Sequence, residues 1–158
     1  MGAYSDSQIR TAILGVLAAA APNAVIFPWW ALGHDPDTWP AILKPTTGPD
    51  AGKTHGYILT RINTEGNRRN SECVQRLFNY AVWGFYFYDE TSNNSTSSDV
   101  RFNAELDAIS SAFIIAASLP AELRRVQEEP QFKVDLASLG GELLHYATGQ
   151  LVVEQILI

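Results

Sequence analysis

Apolar positions along the chain fall into two periods. Ile9, Ala12, Ile13, Val16, Leu17 and Ala20 recur every three or four residues and predict an amphipathic helix from about Asp6 to Ala21. Ser5 and Gln8 have the spacing of a capping box, and Pro22 with Asn23 ends the run. Phe102, Leu106, Ile109, Phe113 and Ala116 repeat the pattern, predicting a second helix from about Val100 to Ser118 that is capped by Ser98 or Asp99. Elsewhere the period is two. Ala24 to Trp30 reads as a strand whose second half Pro28 demotes to an edge or a bulge. Tyr57 to Ile62 reads as a short strand and Cys73 to Tyr88, CVQRLFNYAVWGFYFY, as a very long one, the two forming an antiparallel hairpin with an extended polar tip. Pro120 opens a short charged turn of helix, or a loop, through Glu129. Phe132 to Leu136 alternates, and after a Gly140-Gly141 break the run from Leu143 to Ile158 is β-rich and divided by Gly149.

The long strand poses a problem of size. Sixteen residues at about 3.3 Å each span roughly 53 Å, whereas a compact domain of this length is only about 40 Å across. The strand must bend, overhang or meet a neighbour. Leu77, Ala81, Trp83, Phe85 and Phe87 lie on one side of it, and Val74, Phe78, Tyr80, Val82, Tyr86 and Tyr88 on the other. Seven of the chain's seventeen aromatic residues fall between Phe78 and Tyr88, so both faces are apolar. Such a strand is either central and covered twice, or lends a face to another subunit. From Gly33 to Gly56 proline and glycine predict an extended loop, in which Trp39, Ile42 and Leu43 form a patch that docks. The order of elements predicts a single α+β domain over residues 1–158: a mostly antiparallel sheet with two main helices packed on it, a long hairpin and a long Pro/Gly-rich loop.

Composition narrows the function classes. No apolar run approaches the roughly eighteen residues of a membrane span, and the N-terminus lacks the basic region of a signal peptide. Cys73 is the only cysteine, which excludes an internal disulfide, a thiolate metal site and a Cys-x-x-Cys pair, and fits a reducing, intracellular setting. A net charge of −6 argues against a nucleic-acid-binding face. The pairs Arg68-Arg69 and Arg124-Arg125 read as surface features.

No constellation of catalytic residues emerges. His34, His55 and His145 have no partner at ligand spacing, so no metal site is predicted, and His34 beside Asp35 and Asp37 reads as turn chemistry. There is no G-x-S-x-G elbow, and Cys73 heads an apolar strand as a buried, inert thiol. Gly48 to Thr54, GPDAGKT, is one residue short of a P-loop and precedes a strand instead of a helix. Asn93 and Asn94 start sequons without a secretory signal. Glu105 and Asp107 fall on the exposed side of the second helix, and Glu128 with Glu129 on a solvated turn. Neither catalytic residues nor a cofactor is assigned. A pocket lined by the aromatic strand would draw on Tyr80, Tyr86, His145 and Tyr146, the set that an enzyme or ligand-binding domain would need to bring together.

What remains is surface. LVVEQILI at residues 151–158 would be an exposed, aggregation-prone edge in a monomer, and an oligomer can cover it. The succession of a helix, a strand, a loop leading into GYILTRIN, a hairpin, a polar linker into FNAELDAISSAF and a closing GELLHYATGQLVVEQI resembles the small neck proteins of tailed bacteriophages, above all the tail terminators. The long loop from Gly33 to Gly56 departs from that pattern. The resemblance implies a non-catalytic virion protein, assembled in the host cytoplasm, that forms a hexameric ring, caps the tail tube and meets the head connector. DNA would pass through the ring without being read. Its implied contacts, with candidates chosen for exposure, are Trp39, Arg68, Arg69, Trp83, Tyr86 and Tyr88. A head-completion or stopper protein, a homodimer, and a small α+β enzyme or ligand-binding domain are the alternatives.

Overall fold

A computed structural model describes residues 3–27, 35–63, 68–69, 73–90 and 97–157, with the backbone alone at Pro36, Asn63, Arg68 and Arg69. It is an α+β domain. In chain order the elements are α1 (Asp6–Ala20), β1 (Val25–Phe27), a 3-10 turn at Pro36–Thr38, α2 (Trp39–Ile42), β2 (His55–Asn63), β3 (Arg68–Arg69), β4 (Val74–Phe87), α3 (Ser98–Ala112), 3-10 turns at Ala116–Ser118 and Ala121–Leu123, β5 (Val126–Glu128), β6 (Lys133–Leu139) and β7 (Glu142–Leu157). The strands form one seven-stranded sheet in the order β1-β2-β4-β7-β5, with β3 also on β4 and β6 also on β7. Among the described residues only β1 with β2 is parallel.

The long strand finds its partner within the chain. β4 pairs with β7 over its whole length, from Val74 opposite Leu157 to Phe87 opposite Leu144. β7 was expected to divide at Gly149, but it runs through unbroken. The glycine has another role there: a Cβ on Gly149 would sit 3.0 Å from the Phe132 ring, so its bare backbone makes room for that ring. Gly84 does the same on β4, where a Cβ would lie 2.8 Å from Tyr57 and 3.2 Å from Phe102.

Both long helices pack on one face. Ile9, Ile13 and Leu17 of α1 and Phe102, Leu106 and Ile109 of α3, with Phe113, meet Tyr57, Leu59, Phe78, Tyr80, Val82, Ala147, Leu151 and Val153 in the main core. The capping box of α1 forms as predicted, with Ser5 Oγ accepting from the Gln8 amide and the Gln8 side chain accepting from the Ser5 amide. α3 is shorter than predicted. It ends at Ala112, and Ala116, assigned to its buried stripe, is exposed. Its N-cap is Ser97, whose side chain makes no capping bond; the Asp99 amide donates instead to Glu90 Oε1 at 3.0 Å.

The opposite face is covered by a smaller layer. The predicted loop holds α2, whose Trp39 packs edge-on against Phe85 at 5.9 Å. Leu43 joins Ile58, Phe85 and Leu144 in a second buried cluster. Gly56 permits this contact, since a Cβ there would lie 2.8 Å from Leu43. Gly140 and Gly141 both adopt positive φ and form the two-residue turn between β6 and β7. β5 is a strand that the sequence pattern did not predict, within a stretch read as a turn or loop.

Gly84→Val should cost about 1–3 kcal/mol by overpacking Tyr57 and Phe102. Gly15→Ala, inside α1 with nothing within 4 Å of the added carbon, should stabilise by about 1 kcal/mol. Urea midpoints moving in opposite directions would bear out both; a neutral Gly84→Val would refute the packing account.

Candidate functional site

Alternation and register bring one row of polar aromatic groups together. His55 on β2 lies opposite Tyr86 on β4, which lies opposite His145 on β7. All three are buried, on the face covered by α3. His55 and Tyr86 meet edge-on at 4.6 Å, and Tyr86 stacks on Phe102 at 5.4 Å.

At the first end of the row His55 stands between two carboxylates. Its Nδ1 is 2.8 Å from Asp50 Oδ2 and its Nε2 is 2.7 Å from Glu105 Oε1. The Tyr57 hydroxyl donates to the same Glu105 oxygen. The imidazole side chain is 2% exposed, and those of Asp50 and Glu105 are 13% and 16%. Glu105, expected on the outer side of α3, therefore turns toward the sheet. It lies three residues after Phe102 and four before Ile109, hence on the flank of the buried stripe, and that position was the signal that could have found it. Burial, then the Glu105 carboxylate, pushes the Tyr57 hydroxyl well above its ordinary range. Tyr86 rises from 10.0 to about 12, mainly through burial, then through Asp50, with Arg101 opposing. Arg101 spans the Tyr86 and Phe87 rings at 5.9 and 5.4 Å.

At the other end His145 Nε2 is 2.8 Å from Ser98 Oγ and 3.2 Å from Glu90 Oε1. A serine, a histidine and an acid in contact invite comparison with a catalytic triad, but the geometry is different. A triad places the acid on Nδ1 and the serine on Nε2; here both share Nε2. Ser98 Oγ also accepts from the Asp89 amide and can donate to Glu90 Oε1, each at 2.8 Å. Glu90 thus fills the N-terminus of α3, and the Ser98 hydrogen bond, ahead of its other contacts, holds its carboxyl below the ordinary range. This cluster is a cap built from three elements.

The set Tyr80, Tyr86, His145 and Tyr146 does not converge. Tyr86 and His145 share the row, whereas Tyr80 sits further along the same face, donating to Asp6 Oδ1 at 2.7 Å. Tyr146 is on the opposite face beside Trp83 and Phe85, at 5.8 and 5.4 Å. Among the interface candidates, Tyr86 needs correction, because it is only 4% exposed beneath α3. Trp39 is half-buried as part of the small layer. Tyr88 is 43% exposed and stacks on His145 at 5.4 Å. Trp83 is half-buried on the face opposite the long helices. Arg68 and Arg69 form β3 beside the start of β4. Cys73, expected to be buried, is half-exposed. His34, Asn93 and Asn94 lie outside the described residues.

Among the described residues no group of three or more His, Cys, Asp or Glu is placed to hold a metal ion, and no helix is long and apolar enough to cross a membrane. No protein-family profile matches the chain, and a search of curated proteins finds no match.

His55→Ala, which leaves Asp50 and Glu105 facing each other across a gap, should cost about 3 kcal/mol or more. Tyr57→Phe should cost about 1–2 kcal/mol. Equal urea midpoints for the two variants would refute the ranking. The raised Tyr57 and Tyr86 values also fix a pH dependence: their contribution is complete below the ordinary value of 10.0 and is lost as pH rises through the folded values. The share of tyrosinate absorbance that belongs to Tyr57 and Tyr86 should therefore appear together with unfolding, and full tyrosine ionisation in a folded chain would contradict this.

Proposed function

We propose that the chain is a structural subunit of the head-tail neck of a tailed bacteriophage: a tail terminator that closes into a homohexameric ring, caps the tail tube and joins it to the head connector. The observation that carries this reading is the uneven cover of the sheet. Among the described residues, both long helices lie on one face, while the other has only the layer from α2 to Leu43 at one end. From the edge of that layer, where Ile58 is buried under Leu43, the Ile58-Trp83-Thr148 and Thr60-Ala81-Gln150 rows continue the face, with Ala81 buried as well. Trp83, Thr148 and Thr60 are half-buried there and Gln150 is exposed. Ile62, at the bulge of β2, is 53% exposed. A half-covered sheet face bearing tryptophan, tyrosine and isoleucine suits a neighbouring subunit, since aromatic anchors dominate contact energies. Closed rings bury such faces without leaving open ends.

The hexamer, the virion location and the tube and connector partners come from the resemblance in element order. A head-completion or stopper protein of the same neck would use the same face. The reading from a different class, a small enzyme or ligand-binding domain, draws on the Asp50-His55-Glu105-Tyr57 cluster, whose ring nitrogens and hydroxyl are turned to Asp50 Oδ2 and Glu105 Oε1.

Light scattering during size exclusion should give a multiple of 17.4 kDa, and Trp83→Asp should reduce this to one subunit while circular dichroism and cooperative unfolding persist. A wild-type monomer at micromolar concentration would count against the ring. Loss of the fold in Trp83→Asp would place that face in the core.

A further inference from the structure

We propose that Asp50, His55 and Glu105 form a proton-dependent clasp, which ties the turn that follows Leu43 to α3 while the cluster holds one proton more than a neutral ring and two carboxylates supply. Both ring nitrogens face carboxylate oxygens, at 2.8 and 2.7 Å, yet a neutral imidazole carries a single N–H. The second contact therefore needs a second proton, on the ring or on the facing carboxyl. Tyr57 cannot supply it, because its hydroxyl already donates to the same Glu105 oxygen. Without that proton, two acceptors face each other below 3 Å in a site whose histidine is 2% exposed, where an unpaired polar contact is costly.

The groups around the ring leave the clasp as the weak point. Asp50 and Lys53 come from the turn, Tyr57 from β2, Tyr86 from β4, and Glu105 and Arg101 from α3, with Asp89 just beyond β4. The Lys53 ammonium lies over Phe87 at 4.8 Å, and Arg101 lies over Tyr86 and Phe87 with Asp89 at 3.9 Å. Neither cation contacts the imidazole. The turn itself is held by local hydrogen bonds: the Gly52 amide to Pro45, the Lys53 amide to Asp50 and the His55 amide to Leu43, at 2.9, 3.0 and 2.9 Å. Leu43 belongs to the cluster over Ile58 and Phe85. When the extra proton leaves, the one remaining N–H can hold only one carboxylate. Glu105, fixed on α3 and held by Tyr57 as well, keeps it, so Asp50 loses its anchor and the turn loosens with the edge of the layer that Leu43 supports.

Hydrogen exchange followed by NMR on the whole chain tests this. Protection factors of the Gly52, Lys53 and His55 amides, corrected for the intrinsic pH dependence of exchange, should fall about tenfold within a scan whose range runs from about pH 5 to just below the ordinary tyrosine value of about 10. Glu105→Gln should remove the dependence, because its amide can face either a bare or a protonated nitrogen. A flat wild-type profile overturns the clasp, as does an unchanged dependence in Glu105→Gln. Imidazole nitrogen shifts of the wild type provide a readout that does not depend on the variant folding. At the low end of the range, a neutral ring with no carboxylic proton nearby would also overturn it.

Discussion

The ladder between β4 and β7 joins fourteen residue pairs, and each remaining element takes its place from it. β2 extends the sheet on the β4 side, and β5 and β6 share the far edge of β7. Because side chains alternate strictly along a strand, this one register decides that Tyr86 and His145 share a face with Val82 and Tyr80, and that Trp83, Phe85 and Tyr146 share the other. A slip of one residue would exchange the helix-covered core with the half-covered face. The two interior glycines reinforce the register, since Gly84 and Gly149 must fall where Phe102 with Tyr57, and Phe132, come closest to the backbone.

The two faces treat polarity differently. Beneath α3 the sheet buries a histidine at each end of one row and satisfies both through carboxylates drawn from other elements: Asp50 and Glu105 for His55, Glu90 for His145. Each carboxylate comes from a segment distant in sequence from its partner or on another element, so these contacts fix α3 and the flanking turns relative to the strands. Buried polar groups of this kind add orientation more than net stability. On the opposite face contacts are mostly aromatic and incomplete, which is where a neighbouring chain would add most.

Much of the fold was legible from period alone. Ser5 with Gln8, the stripe from Ile9 to Leu17, the alternation of β4 and the stripe from Phe102 to Phe113 each rest on local chemistry that the structure retains. What escaped depended on contacts between distant segments. Gly149 reads locally as a break, and only the Phe132 ring above it makes it part of a continuous strand. Val126–Glu128 has no strand signal of its own and pairs because β7 presents an edge. The polar cluster was missed for a similar reason. His55, Asp50 and Glu105 lie on a strand, a turn and a helix, and no spacing rule connects residues separated by fifty positions. Glu105 alone carried a local hint, as a charged residue on the flank of an apolar stripe.

The ladder also sets an order in time. β7 is central in space yet follows all the other strands in the chain, and the residues it joins to β4 are separated by 57 to 83 positions. Contacts this remote make the closing step of folding slow. During synthesis α1, the β2–β4 hairpin and α3 would leave the ribosome with their apolar faces unmatched, and the aromatic strand would stay without its long partner until residues 142–157 arrive. That interval is when the chain most needs protection from its own kind.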